Sequence, residues 1–330
     1  MVYKINVPLV SGDGTRKKDI IDANNDLTVD EIRAGTYTEL YRFQGTTSGY
    51  VSGGYDNATY NIIEKFPFSV DANSTDVGDL TEIRSSIAGQ SSISHGYTSG
   101  GSLNKNIIDK FPFSVDGNAS DVGDLTIGRS GASGQSSSDN GYSSGGSYPP
   151  GPIISNVIDK FPFSSDGNAT DVGNLTDLRS NIAAGQSSSE NGYTAGGFGP
   201  VPAGTANVNI IDKFPFSSDA NATDVGDLTQ ARRIGAGQSS RSNGYSSGGF
   251  PNFNTIDKFP FSSDANATDV GDLSVTRSGG SGQSSTTNGY TSGGLPYSTV
   301  IDKFPFSSDG NATDVGDILN DRYQTAGQQV

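Results

Sequence analysis

The chain has 330 residues, 45 of them glycine, with no cysteine or tryptophan, one methionine and one histidine; 21 basic and 36 acidic side chains leave a net charge of −15. The missing cysteines exclude a disulfide framework, a thiolate nucleophile and any Cys-based zinc or iron–sulfur site. An acidic chain whose Lys and Arg are spread one or two per sequence unit repels phosphate backbones, so no nucleic-acid partner is expected.

Residues 1–44 do not repeat and read as a leader segment suited to attachment, with a disordered tail or a single edge strand as the alternatives. The start, "MVYKINVPLVSGDG", is a short apolar run broken by Pro8. No window approaches the roughly 18 apolar residues of a membrane span, so neither a signal peptide nor a membrane insertion is expected. Thr28-Val29-Asp30-Glu31 has capping-box spacing and predicts one short helix, stopped by Gly35.

Residues 45–330 repeat six times. Gly-Tyr-x-x-Gly-Gly ends at Gly54, Gly101, Gly146, Gly197, Gly249 and Gly294, and Lys-Phe-Pro-Phe begins at Lys65, Lys110, Lys160, Lys213, Lys258 and Lys303. Units of 45 to 52 residues have the period of propeller blades. Although only 32% of residues are hydrophobic, this periodicity excludes a disordered chain. The predicted class is all-β: a six-bladed β-propeller with four antiparallel strands per blade.

Each unit reads as strands a to d. Strand a is "AGQSS" (236–240) and strand b "GYSSGG" (244–249). The intervening Asn-Gly, at Asn140/Gly141, Asn191/Gly192, Asn243/Gly244 and Asn288/Gly289, tolerates positive φ and predicts a tight hairpin turn. Strand c, "IIDKFPF" (210–216), is apolar on both faces of its alternation, as a strand buried between two neighbouring blades must be. Its Pro215 lacks a donor and marks a bulge or the strand's outer end. A turn rich in Ser, Asp and Asn leads into the short strand d, "DVGDL".

Hairpin, double glycine, aromatic strand, polar turn and a closing Arg (Arg84, Arg129, Arg179, Arg232, Arg277, Arg322) together resemble the kelch repeat over residues 45–330, with Val of "DVGD" near the place of the kelch Trp. The turn at Ser217-Ser218-Asp219-Ala220-Asn221-Ala222-Thr223 resembles the Asp-box of sialidases and related propellers, a structural element that implies the fold and not catalysis. The run "YRFQGTTSGYVSGG" with the "IDKFPF", "NATDVGDLT" and "GQSS" segments resembles repeat proteins encoded by marine phages. That resemblance implies a virion or tail-fibre component, hence an extracellular particle.

Strand a is complete only five times, and two segments compete for the sixth place: Thr38–Gln44 and Thr325–Val330. The second keeps the Arg322-to-Gln328 spacing of the intact units and is expected to close the ring, leaving no open edge.

Chemistry is sparse. His95 stands where sister units carry Asn, which favours a turn role. Asp264, Asn266, Asp269 and Asp272 offer hard oxygen ligands to Ca²⁺, yet without the spacing of a calcium loop, so turn chemistry is favoured and no cofactor is expected. Asn-Ala-Thr fits a glycosylation acceptor but belongs to the repeated turn. A sialidase needs an Arg cluster with a Tyr/Glu pair and a copper-radical oxidase needs Cys and several His; neither set is present, so no enzyme is expected.

Variation among units is concentrated between strands b and c and after strand d, two connections that an up-and-down blade places on one face. Loops tolerate change because they are solvated. These also carry Tyr55, Tyr60, Tyr148, Phe198, Phe250, Phe253 and Tyr297, with Arg233, whereas tolerance alone favours small polar residues. The expectation is a non-enzymatic binding or structural module of a phage particle. Its variable face would contact a host-surface polysaccharide or another virion protein, and oligomerisation is open. The alternatives are a virion component without a receptor role and a glycan-processing enzyme with acidic and Arg residues clustered in the central depression.

Overall fold

The computed structural model describes residues 43–148, 153–182, 184–296 and 298–330. The leader up to residue 42, with its predicted helix, and Tyr297 lie outside the described residues.

Six four-stranded antiparallel sheets form the blades of a β-propeller. Blade 5 shows the pattern: a is Ala236–Ser239, b Asn243–Ser247, c Thr255–Pro260 and d Thr268–Asp272. The a strands of consecutive blades touch one another around the axis, and each d strand is outermost. Blade 1 takes its b, c and d strands from Ser48–Ser52, Ile62–Pro67 and Thr75–Asp79 and its a strand from Ala326–Gln329, which pairs Gly49 with Gln329 and Ser52 with Ala326. The C-terminal segment therefore closes the ring.

Between blades the core repeats one recipe. Tyr97, Ile108 and Leu125 of blade 2 meet Phe161 and Ala169 of blade 3, all of them buried, and Phe163 stacks on Tyr97 with centroids 4.8 Å apart. Ile108 and Phe111, three positions apart on strand c, pack into different clusters, Phe111 with Tyr50 and Ile63 of blade 1. That is why the strand is apolar on both faces.

A second recipe is polar. Arg232 is fully buried and its Nη2 lies 2.8 Å from Oδ2 of buried Asp257, whose carboxylate also accepts from the Thr229 backbone N–H (2.9 Å) and hydroxyl (2.6 Å). Six such pairs occur, with Glu64 opposite Arg322. Burial lowers each guanidinium pKa and the carboxylate opposes that shift. Near the axis, the Gln238 amide donates to the Tyr290 carbonyl of the next blade at 2.9 Å, and the other five blades repeat the bond. A Cβ on Gly237 would stand 2.3 Å from the Gly185 carbonyl oxygen, so the a strands meet through glycine.

Two local readings need correction. Asn140 and Gly141 are not the a–b turn: they open strand b, Asn140–Ser144, and neither has positive φ. Ser137 makes the turn instead, its N–H donating to the Asn140 carbonyl (2.9 Å) and its Oγ accepting from the Asn140 N–H (3.0 Å). The glycine is needed because Phe161 lies across it, 2.3 Å from where a Cβ would be. The varied "FGPVPAGTANVN" is likewise not a loop. It continues strands b and c of blade 4 as a protruding hairpin, Asn191–Val201 paired with Gly204–Pro215. Pro162 ends strand c, and the register irregularity falls at Ile158/Asp159, so proline marks the outer end.

Candidate functional site

The b–c connections and the incoming d–a connections share one face, because residues from the two meet in every blade. Bridges join Tyr55 to Tyr323, Ser130 to Ser147, Ser180 to Phe198, Arg233 to Phe250 and Ser278 to Leu295, and in blade 2 the Ser102 N–H donates to the Ser85 carbonyl (2.7 Å). The double glycine allows this. Gly248 and Gly249, at φ 63° and 118°, occupy backbone regions that favour glycine and turn the chain toward the d–a connection. Six pairs on one scaffold carry five different side-chain combinations, so the scaffold is constant and its display varies.

Three candidates come together. The Arg233 guanidinium lies over the Phe198 ring of blade 4, 4.8 Å from its centroid, and over the Phe250 ring of blade 5, 4.7 Å away. Phe250 is 40% exposed, while Phe198 and Arg233 are half-buried. Asn207 of the hairpin donates its amide to the Phe250 carbonyl at 3.2 Å, tying the two blades at this point. Each cation–aromatic contact contributes about 0.5–1 kcal/mol at an exposed site.

The other candidates are dispersed. Tyr55, 37% exposed, packs edge-on against Tyr323 at 5.6 Å. Tyr60 is occupied: its hydroxyl donates to Asp56 (2.9 Å), which raises its pKa, and its ring lies 5.9 Å from the buried Arg322 guanidinium. Tyr148, half-buried, sits in a two-residue ribbon with Ile153–Ile154. Phe253 is half-buried and accepts the Arg277 N–H on its carbonyl (3.0 Å).

Sequence reasoning missed Tyr323, in the connection that leads into the closing strand. It also missed the aliphatic members of the face: Ile83, Ile127, Leu178 and Val275, 40–61% exposed, all on d–a connections. Their signal is an apolar residue one or two places before the core Arg, where solvation alone favours polar ones. On the opposite face the large exposed apolar residues among those described are Val70, Ile93 and Val115, in blades 1 and 2.

At the centre of the variable face a funnel of about 110 Å³ narrows toward the glycine ring, with Phe43 among its lining residues. Its rim consists of Ser86, Gly131, Asn181, Ile234, Gly279 and Gln324, one per blade and all at positive φ. Backbone hydrogen bonds run from blade to blade around it, as from the Ile234 N–H to the Asn181 carbonyl (3.0 Å). The funnel is well below the roughly 300 Å³ at which drug-sized ligand pockets start. Among the described residues its lining includes neither a carboxylate nor an arginine.

The acidic turns lie on the opposite face and clasp blades together. Asp264 pairs with Lys213 of the preceding blade, Asn266 accepts the Asp227 N–H (3.0 Å), Asp269 accepts the Gly271 N–H (3.1 Å) and the Asp272 N–H donates to Asn311 (3.0 Å). Among the described residues no three His, Cys, Asp or Glu side chains form a group able to hold a metal. His95 opens strand b of blade 2 in the place of Asn140, with Nδ1 2.9 Å from Ser94 Oγ, and burial lowers its pKa.

A scan against protein-family models finds no match, and a search of curated proteins finds none. Among the described residues no helix is long and apolar enough to cross a membrane.

Proposed function

We propose that this propeller is a non-enzymatic binding module whose variable face docks a host-surface polysaccharide, and that it is displayed on a phage particle. The observation that carries the reading is the pairing of b–c and d–a connections in all six blades: a fixed backbone frame presents five different residue pairs, with Ser–Ser in both blade 2 and blade 3. Exposed Phe250 and Tyr55 and a ring of aliphatic residues give that face the apolar surface on which sugar rings stack, with polar Asn and Ser beside them. The virion placement rests on the resemblance of the repeat to marine-phage proteins.

The test is an array of bacterial-surface polysaccharides probed with the purified protein and with Phe250→Ser. Phe250 is exposed enough for the variant to fold, which circular dichroism checks. Binding by the parent and at least tenfold weaker binding by the folded variant supports the reading. A parent that binds no polysaccharide but co-purifies with virion subunits through this face moves the assignment to a structural particle component.

A further inference from the structure

We infer that Arg233 is an anion clamp, and that it takes the carboxylate of an acidic sugar within the docked polysaccharide. This deepens the binding-module reading and rests on it.

The residue after the core Arg is Ser in four blades and Tyr323 in blade 1; only blade 5 carries a second Arg. The two neighbouring arginines have opposite environments. Arg232 is buried against Asp257, whereas no carboxylate lies within 4 Å of the half-buried Arg233 among the described residues. The strand-c lysines, by contrast, each pair with an Asp of the next blade. In a chain with 36 acidic residues, a cation held in place without a counter-charge points to an anion supplied from outside.

The geometry suits a carboxylate. Two rings from neighbouring blades hold the guanidinium plane, so its fork is pre-organised for a bidentate contact and little freedom is lost when the anion arrives. One guanidinium flanked by aromatic rings and the Asn207 amide suits a sugar ring with a single acid group. The net charge of −15 opposes densely charged polyanions.

Salt separates this contact from long-range pairing. At low salt the chain's own charge repels an acidic polymer; at 0.5 M salt screening acts within about 4 Å while the buried-edge contact persists. Affinity is therefore expected to hold or rise between 0.1 and 0.5 M salt, opposite to polyelectrolyte binding.

The experiment compares an oligosaccharide carrying a single galacturonate residue with its methyl ester, which keeps the sugar and removes the charge, by calorimetry on the parent, Arg233→Gln and Arg233→Lys. An array pairing acidic with neutral polysaccharides runs alongside, and thermal midpoints check folding. The expected result is at least about tenfold preference for the acid, abolished in Arg233→Gln and partly kept in Arg233→Lys. Equal binding of acid and ester, or array signals on neutral polysaccharides alone, overturns the clamp and leaves the binding module standing. So does an acid preference that survives Arg233→Gln, or capture of an acidic peptide with no sugar bound. Silence on every polysaccharide overturns both readings.

Discussion

Blade 1 departs from its sisters at three positions that touch one buried carboxylate, and this makes a quantitative test of the polar core. In blades 2 to 5 the strand-c Asp accepts the N–H and hydroxyl of a Thr, as Asp109 does from Thr81 (3.0 and 2.6 Å). Blade 1 has Leu319 in place of that Thr, Glu64 in place of Asp, and Ser74 where the sister turns carry Ala119, Ala169, Ala222, Ala267 and Ala312. The longer Glu64 still meets Arg322 (2.5 Å) and the Leu319 N–H (2.9 Å), and the Ser74 hydroxyl replaces the missing Thr hydroxyl. Glu64→Asp retracts the carboxylate by about 1.5 Å, one carbon–carbon bond. Its contact with the Ser74 hydroxyl is then lost, while the sister blades show that an Asp still reaches the backbone N–H at the Leu319 position, and at about 1.5 kcal/mol for a bond to a charged group the expected loss is about 1.5 kcal/mol, as for Ser74→Ala alone. Adding Leu319→Thr and Ser74→Ala rebuilds the sister arrangement, and the triple variant is expected within about 1 kcal/mol of the parent, a coupling of about 2 kcal/mol or more. Urea midpoints followed by circular dichroism, compared at equal m-values, read these differences. A triple variant no more stable than the sum of its single changes would refute the argument.

Other expectations follow from the same packing. Arg232→Leu strands Asp257 and is expected to destabilise by about 3–5 kcal/mol, whereas Arg233→Gln next to it loses about 1–2 kcal/mol of ring contact; urea midpoints in the opposite order would sink the division between core and display arginines. Gly237→Ala forces a methyl against the Gly185 carbonyl at 2.3 Å and is expected to lose about 1–3 kcal/mol; Gly117, with nothing within 4 Å of its would-be Cβ, accepts Ala with a gain of about 0.4–1 kcal/mol, both read by thermal midpoints. Burial raises the phenol pKa of Tyr50, Tyr97, Tyr142 and Tyr193 to about 12, above the ordinary 10. The folded state keeps protons that the unfolded chain releases, so this contribution is intact below pH 10 and falls away toward pH 12; the tyrosinate absorbance lost on changing one of these four to Phe should be the part that rises together with unfolding, and its appearance before unfolding would contradict the burial.

Much of the fold was legible because the repeat states the packing rules six times. The six-fold spacing, the two-faced strand c and the Arg322-to-Gln328 interval each stood for one physical requirement, and each is met. Asn-Gly failed because its glycine answers to a cross-strand Phe and not to a turn. The clue was that blades 1 and 2 keep the glycine while placing Ser48 and His95 before it. The face was legible as a set of varied positions, but which residues meet was not: the stack of Phe198, Arg233 and Phe250 depends on the blade 4 hairpin and on a contact between blades. Exposed Phe250 and occupied Tyr60 were not told apart, since Arg322 becomes a neighbour of Tyr60 only in the folded ring, and Asp56, four residues before it, meets its hydroxyl only once the b–c connection folds.

The charge of −15 is itself largely a property of the fold. Strand d is the outer edge of every blade, and eleven of its twelve acidic positions, from Asp76 and Asp79 to Asp314 and Asp317, are Asp, with Asn174 the exception. An exposed edge strand invites pairing with another chain, and charge, irregular register and cover by a neighbouring turn all oppose it. All three are present: the carboxylates, the register shift at each c–d pair, and the next blade's turn, whose Ala119 N–H donates to the Asp79 carbonyl (2.7 Å) and whose Asn118 accepts the Asp79 N–H (3.1 Å). The acidity therefore answers to edge protection around the circumference and does not predict the sign of a ligand. On the proposal made above, recognition on the variable face is set by local charge, where Arg233 stands without a carboxylate among the described residues. Neutralising rim aspartates, for example Asp121→Asn with Asp124→Asn, should promote self-association in light scattering while leaving any polysaccharide contact at Phe250 unchanged. A variant that stays monomeric and loses that contact would mean the rim charge serves the face and not the edge.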